Sequence, residues 1–338
     1  MKFEAGMPTL ISRAAKTALG ALAFSVQGRT PPFAYRNMLE LFVRTGGASN
    51  DAMSSLLAML NPPYELSNVT GVLGDLSDAD IEAIGSSIRE RGYHVFEQRL
   101  SDEICDKLLE MATTKPCVQR FKDGEAHVDV ELPCYPRKNP EGVRYDFVDL
   151  IDEPLVQGLM ADRSIIAVAQ SYLQSRPIID IVAMWWNAVS AQPDKQAAQF
   201  WHFDMDRIKW LKFFVYLTDV GPDNGPHSFV EGSHRTGGIA AKLLEKGYVR
   251  LTEEEVAQEY PARKFIEFTG RRGTIIAEDT RGLHKGKHVL KDDRLILQLQ
   301  FSNSLFGGEY PKRTFSGINS EQLLRMKIAY PRLYSNFT

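Results

Sequence analysis

Residues 294–301, with the sequence RLILQLQF, show the two-residue alternation that is typical of a β-strand with two different faces. One face carries three leucines and Phe301, whereas the other carries Arg294, an isoleucine and two glutamines. Residues 209–218, KWLKFFVYLT, alternate in the same way, and their second face mixes a lysine with aromatic side chains. Each strand is therefore predicted to turn its apolar face to a core. The second face indicates either a solvated surface or the lining of a pocket.

Strand-like segments fill the C-terminal half of the chain, whereas helical segments come first. Helices are predicted after Ser77, after Ser101 and within residues 153–174. The strand-like segments are separated by Gly, Pro, Asn and Asp, and they lie at residues 178–190, 200–205, 209–219, 226–231, 264–269, 273–279 and 294–302. Helices followed by strands favour an α+β fold over a parallel α/β sheet. Seven short strands indicate a sandwich or a barrel.

Residues 1–75 are predicted to form a helical N-terminal extension, separate from a main domain at residues 76–338. Proline and glycine pairs interrupt the extension. Its apolar run at residues 17–26 is too short to cross a bilayer, which takes about 20 apolar residues. We predict an amphipathic helix here, with one face formed by Leu10, Ile11, Ala14, Ala18, Leu19 and Leu22 that packs on its own domain. A signal-peptide core and contact with a membrane surface are the alternatives.

Composition excludes several classes of protein. The chain has 338 residues, and its formal net charge of −3 gives no general attraction to nucleic acid, so no nucleic-acid partner is expected. Hydrophobic residues make up 43%, which is ordinary for a folded globular protein and unlike a disordered one. Three cysteines are too few and too odd in number for a disulfide framework. A reducing, cytoplasmic location is therefore expected.

Two His-x-Asp units offer an imidazole and a carboxylate to one metal ion, because residues i and i+2 of a strand point the same way. The first unit, His127 with Asp129, lies in a charged segment before the strand-rich half. The second unit, His202 with Asp204, lies at the entrance to that half. Either unit alone is weak evidence, because a chain with seven histidines contains about one such pair by chance. The position of the second unit, at the entrance to the strand-rich half, favours it over the first as the metal-binding unit.

A third ligand would complete the two-histidine, one-carboxylate site that leaves coordination positions open on Fe(II). His284, in RGLHKGKHVLKDDR, is the candidate, and His288 in the same stretch is its rival. Arg294 follows ten residues after His284, at the start of a strand. A buried arginine at this place suits a planar, two-pronged grip on a carboxylate, whereas an exposed charge at the strand end is the plain alternative.

Residues 200–235, FWHFDMDRIKWLKFFVYLTDVGPDNGPHSFVEGSHR, resemble the central signature of the phytanoyl-CoA dioxygenase-like family of Fe(II)/2-oxoglutarate oxygenases. That signature runs from His-x-Asp through an apolar strand to Asn-Gly-Pro and then to Pro-Gly-Ser-His. Here Glu231 replaces the last proline. The later stretch with His284 and Arg294 resembles the second half of the family pattern, and the combined resemblance covers roughly residues 76–310. It implies a double-stranded β-helix core (jelly-roll or cupin-like) flanked by helices.

The resemblance also implies roles for single residues. His202, Asp204 and His284 match the iron ligands, and Arg294 matches the residue that pairs with the distal carboxylate of 2-oxoglutarate. Further contacts with this cosubstrate are implied, with a plain packing or surface role as the alternative in each case, for Met184, Tyr216, Arg144 and, as another polar candidate, Asn187. The implied cofactors are Fe(II), 2-oxoglutarate and O2.

The implied activity is oxidation of a C–H bond, by hydroxylation or a related outcome, in a small-molecule or lipid-like metabolite. Succinate and CO2 are the implied co-products. The acyl-CoA substrate of the family's namesake is not carried over, because sites on one fold serve many substrates. Two alternatives remain at this point: a non-catalytic β-helix binding protein, and a cupin-like metalloenzyme that does not use 2-oxoglutarate. Arg294 argues against the second, because without a dicarboxylate it would lack a partner.

Overall fold

The computed structural model describes residues 9–121, 126–127, 142–147, 149–190 and 198–338. Two short 3-10 turns, Leu150–Asp152 and Ala262–Lys264, accompany the α-helices. Within the described ranges the α-helices are α1 (Leu10–Gln27), α2 (Pro32–Thr45), α3 (Ala48–Leu60), α4 (Asp78–Arg91), α5 (Asp102–Thr114), α6 (Pro154–Met160), α7 (Arg163–Leu173), α8 (Ala241–Leu244), α9 (Glu253–Ala257) and α10 (Glu321–Ala329).

Three antiparallel sheets contain the strands of the described chain. The strands are β1 (Thr70–Gly71), β2 (Gly74–Asp75), β3 (Tyr93–Val95), β4 (Cys117–Phe121), β5 (Ala126–His127), β6 (Gly142–Phe147), β7 (Ile178–Asn187), β8 (Trp210–Tyr216), β9 (His227–Val230), β10 (Phe265–Phe268), β11 (Ile275–Glu278), β12 (His284–Gly286) and β13 (Arg294–Ser302). The large sheet has the order β3-β11-β8-β13-β7-β6-β4-β5, and the small sheet has the order β10-β9-β12. Strands β1 and β2 form a separate pair.

The centre of the large sheet is β13, which pairs with β7 on one side and β8 on the other. Its leucines and Phe301 are fully buried, and they pack in one cluster with apolar residues of α4, α5, α6, α7 and α10. Its opposite face carries Ile296, which shares a second cluster with Phe214 of β8 and with Phe229 and Phe268 of the small sheet. Of the two alternatives for this face, a solvated surface is therefore wrong, because the face looks onto the small sheet.

The α+β composition and the strand-rich C-terminal half are confirmed. Segment 200–205 was predicted to be a strand, but it forms only isolated β-bridges at Trp201 and His202. The sequence did not predict β4, β5 and β6, which widen the large sheet beyond β7, or the three-residue β12. The finer assignments, a double-stranded β-helix and a separate N-terminal extension, stay predictions at this point.

The helix starts follow the sequence closely. Ser77 caps α4, and its side chain accepts a hydrogen bond from the backbone of Asp80, whose carboxylate accepts one from the backbone of Ser77. Ser101 caps α5 in the same way through the backbone N–H of Ile104. Such reciprocal or single caps satisfy backbone groups that the first helical turn leaves unpaired.

The amphipathic helix α1 is present, but it is turned the other way from the prediction. Its apolar face is exposed to solvent, with Ile11 at 82% and Leu22 at 67% of their full exposure. Its inner face carries Arg13, which forms an ion pair with Glu40 of α2. The interpretation that the apolar face packs on the protein's own domain is therefore wrong, because this ion pair and the close approach of Gly20 to α2 place the other face inward.

Helices α2 and α3 pack on the rest of the chain. Met38 and Phe42 of α2 share a buried cluster with Trp201 and Phe203, and the ring of Phe42 stacks on that of Phe203 at a centroid distance of 5.4 Å. Among the described residues no helix combines the length and the apolar character needed to cross a membrane.

The cysteines differ in part from expectation. Cys105 is a free, buried thiol. Cys117, at the start of β4, is disulfide-bonded. No disulfide framework was expected from the sequence. A single bond was not foreseen, although three cysteines are enough for one pair.

Candidate active site

His202, Asp204 and His284 lie together at the edge of the small sheet. His202 and His284 form an antiparallel bridge, with N···O distances of 3.0 and 2.8 Å, and the backbone N–H of Asp204 donates to Thr280. One potential ligand atom from each of the three side chains lies within 4.8 Å of the others. The prediction that the second His-x-Asp unit meets His284 is therefore matched by the geometry.

Both imidazoles are oriented by backbone carbonyls. The Nδ1 atom of His202 lies 2.8 Å from the carbonyl oxygen of Phe200, and Nδ1 of His284 lies 3.0 Å from that of Gly282. A carbonyl oxygen only accepts, so each Nδ1 carries the proton and each neutral ring presents a bare Nε2. These Nε2 atoms lie 3.7 and 3.4 Å from the two carboxylate oxygens of Asp204.

Burial and neighbouring charge shift the titration of the three groups. Burial and the neighbouring His284 hold the pKa of His202 well below its ordinary range. Burial opposes ionisation of Asp204, but the charges of Lys212 and His284 prevail and hold its pKa well below the usual value. Burial also opposes protonation of His284, yet Asp204 raises the pKa of that ring. The cluster therefore presents an ionised carboxylate, and a cation binding there competes with a proton on His284.

Lys212 was not singled out from the sequence, although it lies beside the cluster. Its ammonium is 2.6 Å from Asp204 and 3.1 Å from Asp206, and the side chain is buried. The hydroxyl of Tyr310 donates to the other oxygen of Asp206, at 2.6 Å. Strand parity places Lys212 on the interior face of β8, but no sequence signal showed that Asp204 would lie within its reach.

Arg294 points into the space between the sheets, as its strand face predicted. It is 4% exposed, and its guanidinium donates to the carbonyl of Gly225 and, at 2.6 Å, to the side-chain oxygen of Asn187. Its Nε–H is buried without a partner, and no carboxylate among the described residues lies within ion-pair distance. Since buried charges in proteins are normally paired, Arg294 suits an anionic group that enters from outside.

Three of the other predicted contacts surround Arg294. Asn187 accepts from both Arg294 and the indole N–H of Trp185. Arg144 is paired with Asn187 in the sheet register, and its guanidinium lies 4.3 Å from the Trp185 ring centroid. Tyr216 faces the same interior, but its hydroxyl donates a hydrogen bond to the carbonyl of Phe268 and accepts one from the backbone N–H of His227. Tyr216 therefore connects the two sheets.

Met184 is on the wrong face for its predicted contact with a cosubstrate. In the register of β7 and β13 it pairs with Leu297, and both belong to the helix-covered cluster. His288 was the rival of His284 as third ligand. Its Nε2 atom lies 3.0 Å from the hydroxyl of Ser190, and it is not part of the metal-ligand cluster. Asp129, the partner of His127 in the first His-x-Asp unit, lies outside the described residues.

A cavity of about 320 Å³ opens beside the cluster. It is lined by His202, Phe203, Tyr248, Val249 and Arg250. Arg250 is exposed, and its charge acts on His202.

Helix α2 also reaches this region. Burial, followed by the charges of Asp206 and Asp204, raises the pKa of Tyr35 to about 12. The N-terminal residues therefore contribute to the surroundings of the cluster, although they supply none of its three ligand candidates.

Comparison with known proteins adds a family and several relatives. A family model described as phytanoyl-CoA dioxygenase matches residues 88–293. The ectoine dioxygenase of Sphingopyxis alaskensis is 25% identical over 268 residues, which are 71% of this chain and 83% of that protein.

Two solved structures are also similar. EctD from S. alaskensis with bound Fe has a TM-score of 0.47 at 20% identity, over 73% of this chain and 84% of its own. The epimerase SnoN in complex with Fe3+, alpha ketoglutarate and nogalamycin RO has a TM-score of 0.47 at 16% identity, over 67% of this chain and 84% of its own.

Proposed function

The chain belongs to the phytanoyl-CoA dioxygenase family, and from this premise we propose that it is an Fe(II)/2-oxoglutarate-dependent dioxygenase. The family match covers more than half of the chain and makes it an oxidoreductase of the dioxygenase class. We propose further that it hydroxylates, or otherwise oxidises, a C–H bond of a small-molecule or lipid-like metabolite, with succinate and CO2 as co-products.

One observation carries the proposal: two histidines and a carboxylate converge in the same interior that holds a buried arginine without a counter-ion. The donor set fits Fe(II), because two neutral imidazoles and one carboxylate form the facial triad of non-haem iron oxygenases. His202, Asp204 and His284 would hold the metal. Arg294 would bind the distal carboxylate of 2-oxoglutarate with the planar fork that suits such groups.

The residues of the chain have separate tasks in this proposal. The carbonyls of Phe200 and Gly282 keep both imidazoles in the tautomer that can coordinate. Asn187 orients the guanidinium of Arg294. Bound iron, 2-oxoglutarate and O2 supply the oxidising power for the C–H bond. The cavity beside His202 would receive the substrate, with Tyr248 and Arg250 on its wall.

The proposal extends to the fold. The large and small sheets face each other across one interior, and we propose that they are the two halves of a double-stranded β-helix at residues 76–338. Residues 1–75 would then be a helical extension that packs on this core.

An anaerobic titration with Fe(II) and 2-oxoglutarate tests the function before any substrate is known. We expect a weak visible charge-transfer band that requires both additions and saturates at one equivalent per chain. Binding of Fe(II), measured by metal analysis, without a visible band when 2-oxoglutarate is added would favour the cupin-like alternative. Failure to bind Fe(II) at all would favour a non-catalytic binding protein.

A further inference from the structure

A second cavity, of about 350 Å³, lies where α3 meets the core of the protein. None of its lining residues belongs to the candidate metal cluster. Basic side chains are prominent in its wall: Arg89 of α4, Lys209 just before β8, and Arg235 and Arg281 from loops. Asp51 of α3 is the acidic residue among those that line it.

Two of the cations have partners that fix the shape of the cavity. The fully buried pair of Arg281 and Asp279 has an N···O distance of 2.7 Å, and Arg281 also reaches Asp51 at 2.9 Å. Arg89 pairs with Glu82 and donates to the carbonyl of Ser171 at 2.8 Å. These two guanidiniums are therefore held in place by their partners, and they contribute positive potential to the cavity.

The other two cations lack such partners. The ammonium of Lys209 lies 4.4 Å from the centroid of the Tyr172 ring. Within the described part of the chain, neither Lys209 nor Arg235 has a side-chain hydrogen bond or an ion pair. A partly buried ammonium in a wall dominated by positive charge is unfavourable unless an anion accompanies it.

One further observation agrees with a missing anion. Burial and the charge of Arg281 lower the pKa of Lys209 to about 8, which an anionic neighbour would reverse. His234, also in the wall, lies with Nε2 3.1 Å from the carbonyl of Arg89, so Nε2 carries the proton and the buried Nδ1 is a bare acceptor that takes no part in binding an anion. Burial lowers the pKa of this ring to about 4, so His234 adds no charge at neutral pH.

We propose that this cavity is a second ligand site, separate from the catalytic one, which binds a small metabolite through a phosphate or carboxylate group held by Lys209 and Arg235. Arg281 and Arg89 supply further attraction from fixed positions. The cavity is larger than a single oxyanion needs, so the ligand is an organic anion. Because Asp51 and Ser54 of α3 form part of the wall, a bound ligand also connects the N-terminal helices to the core.

Calorimetric titration of the full-length, iron-loaded protein at constant ionic strength tests this site, with inorganic phosphate, glycerol phosphate and citrate as probes. We expect saturable binding of one anion per chain. Lys209→Met keeps the apolar stem over Tyr172 and should weaken binding at least tenfold. Arg235→Gln, at an exposed side chain, should weaken binding without affecting the fold. The matched control is Lys242→Met, which removes an exposed lysine outside the cavity and should leave binding unchanged.

Comparison of the three probes and of the variants distinguishes the possible outcomes. Tighter binding of glycerol phosphate than of inorganic phosphate supports a phosphate-ester ligand, and tighter binding of citrate supports a carboxylate ligand. Binding that disappears in Arg294→Met but persists in Lys209→Met would assign the anion to the catalytic pocket and overturn the proposal. Absence of saturable binding for all three probes would overturn it as well.

Discussion

Arg294 is the residue whose chemistry separates a 2-oxoglutarate enzyme from other metalloenzymes. Removing one partner of a buried, hydrogen-bonded charge pair costs about 2–5 kcal/mol, so Arg294→Ala should raise the dissociation constant of 2-oxoglutarate by roughly 30-fold or more. Arg294→Lys keeps the charge but loses the planar fork, and we expect an intermediate effect. Anaerobic titration of the iron complex measures both. Iron affinity should stay unchanged, and equal 2-oxoglutarate affinities in all three proteins would contradict the assignment.

The three ligand candidates make a stricter prediction for the metal itself. His202→Ala and Asp204→Ala should abolish Fe(II) binding and 2-oxoglutarate turnover, because each removes one of three converging donors. Matched controls are His288→Ala, four residues after His284, and His127→Ala, from the first His-x-Asp unit. Both should bind iron like the wild type. Iron binding that survives loss of His202 and disappears with His127 would refute the site.

Single residues show how far a sequence can locate a site. His202, Asp204 and His284 were proposed from the His-x-Asp motif and the family resemblance, and the structure brings their side chains together. Arg294 was proposed from its strand face and the same resemblance, and its side chain is buried. Met184 was proposed from the family resemblance alone, with a packing role as the alternative. However, the β7–β13 register pairs Asn187 with Arg294, which leaves Met184 on the helix side. Lys212 carried the correct parity, but its contact with Asp204 depends on how a loop folds back, and this was not visible in the pattern.

At the scale of elements, β11 brings a carboxyl group into the interior, where Glu278 lies 2.9 Å from Nε2 of His227. Burial raises the pKa of Glu278 to about 8 from the ordinary 4.5. A carboxyl whose pKa is higher in the folded state binds its proton more tightly there, so folding stability is lost as pH rises from about 4.5 to about 8.

Glu278→Gln should therefore become progressively more stable than the wild type as pH rises through this window. The amide keeps an oxygen that can accept from His227 but cannot ionise. We expect the difference in free energy of unfolding to grow by roughly 1 kcal/mol or more between pH 5 and pH 8. Urea denaturation of both metal-free proteins measures it. A difference that is constant with pH would show that Glu278 titrates normally.

Elements with strong local signals were predictable and those with weak signals were not. β13 and β8 are long, alternate strictly and sit at the centre of the large sheet, so their pattern reflects burial on two different faces. β12 has three residues, too few for any period to show. β4 and β6 lie toward the edge of the sheet, in a charged segment, and their pairing with each other depends on long-range contacts.

For the whole molecule, the packing of α2 on the segment that carries His202 is one of the long-range connections of the N-terminal helices. Phe42→Ala would leave a cavity beside Phe203 and should reduce the free energy of unfolding by about 3–5 kcal/mol. Leu22→Ala in the exposed face of α1 is the matched control and should change it by no more than about 0.5 kcal/mol. Chemical denaturation of the full-length variants distinguishes the two. Equal losses would mean that α1 is buried after all.

The contact between Phe42 and Phe203 has a practical consequence for anyone who shortens the gene. The segment that the family model matches begins at residue 88, well after Tyr35 and Phe42. A polypeptide shortened to that segment would expose the apolar side chains around Phe203, next to His202, to solvent. It would be prone to aggregate during expression. Assays of such a fragment would then report on a damaged protein, and weak metal binding in it would say nothing against the intact enzyme.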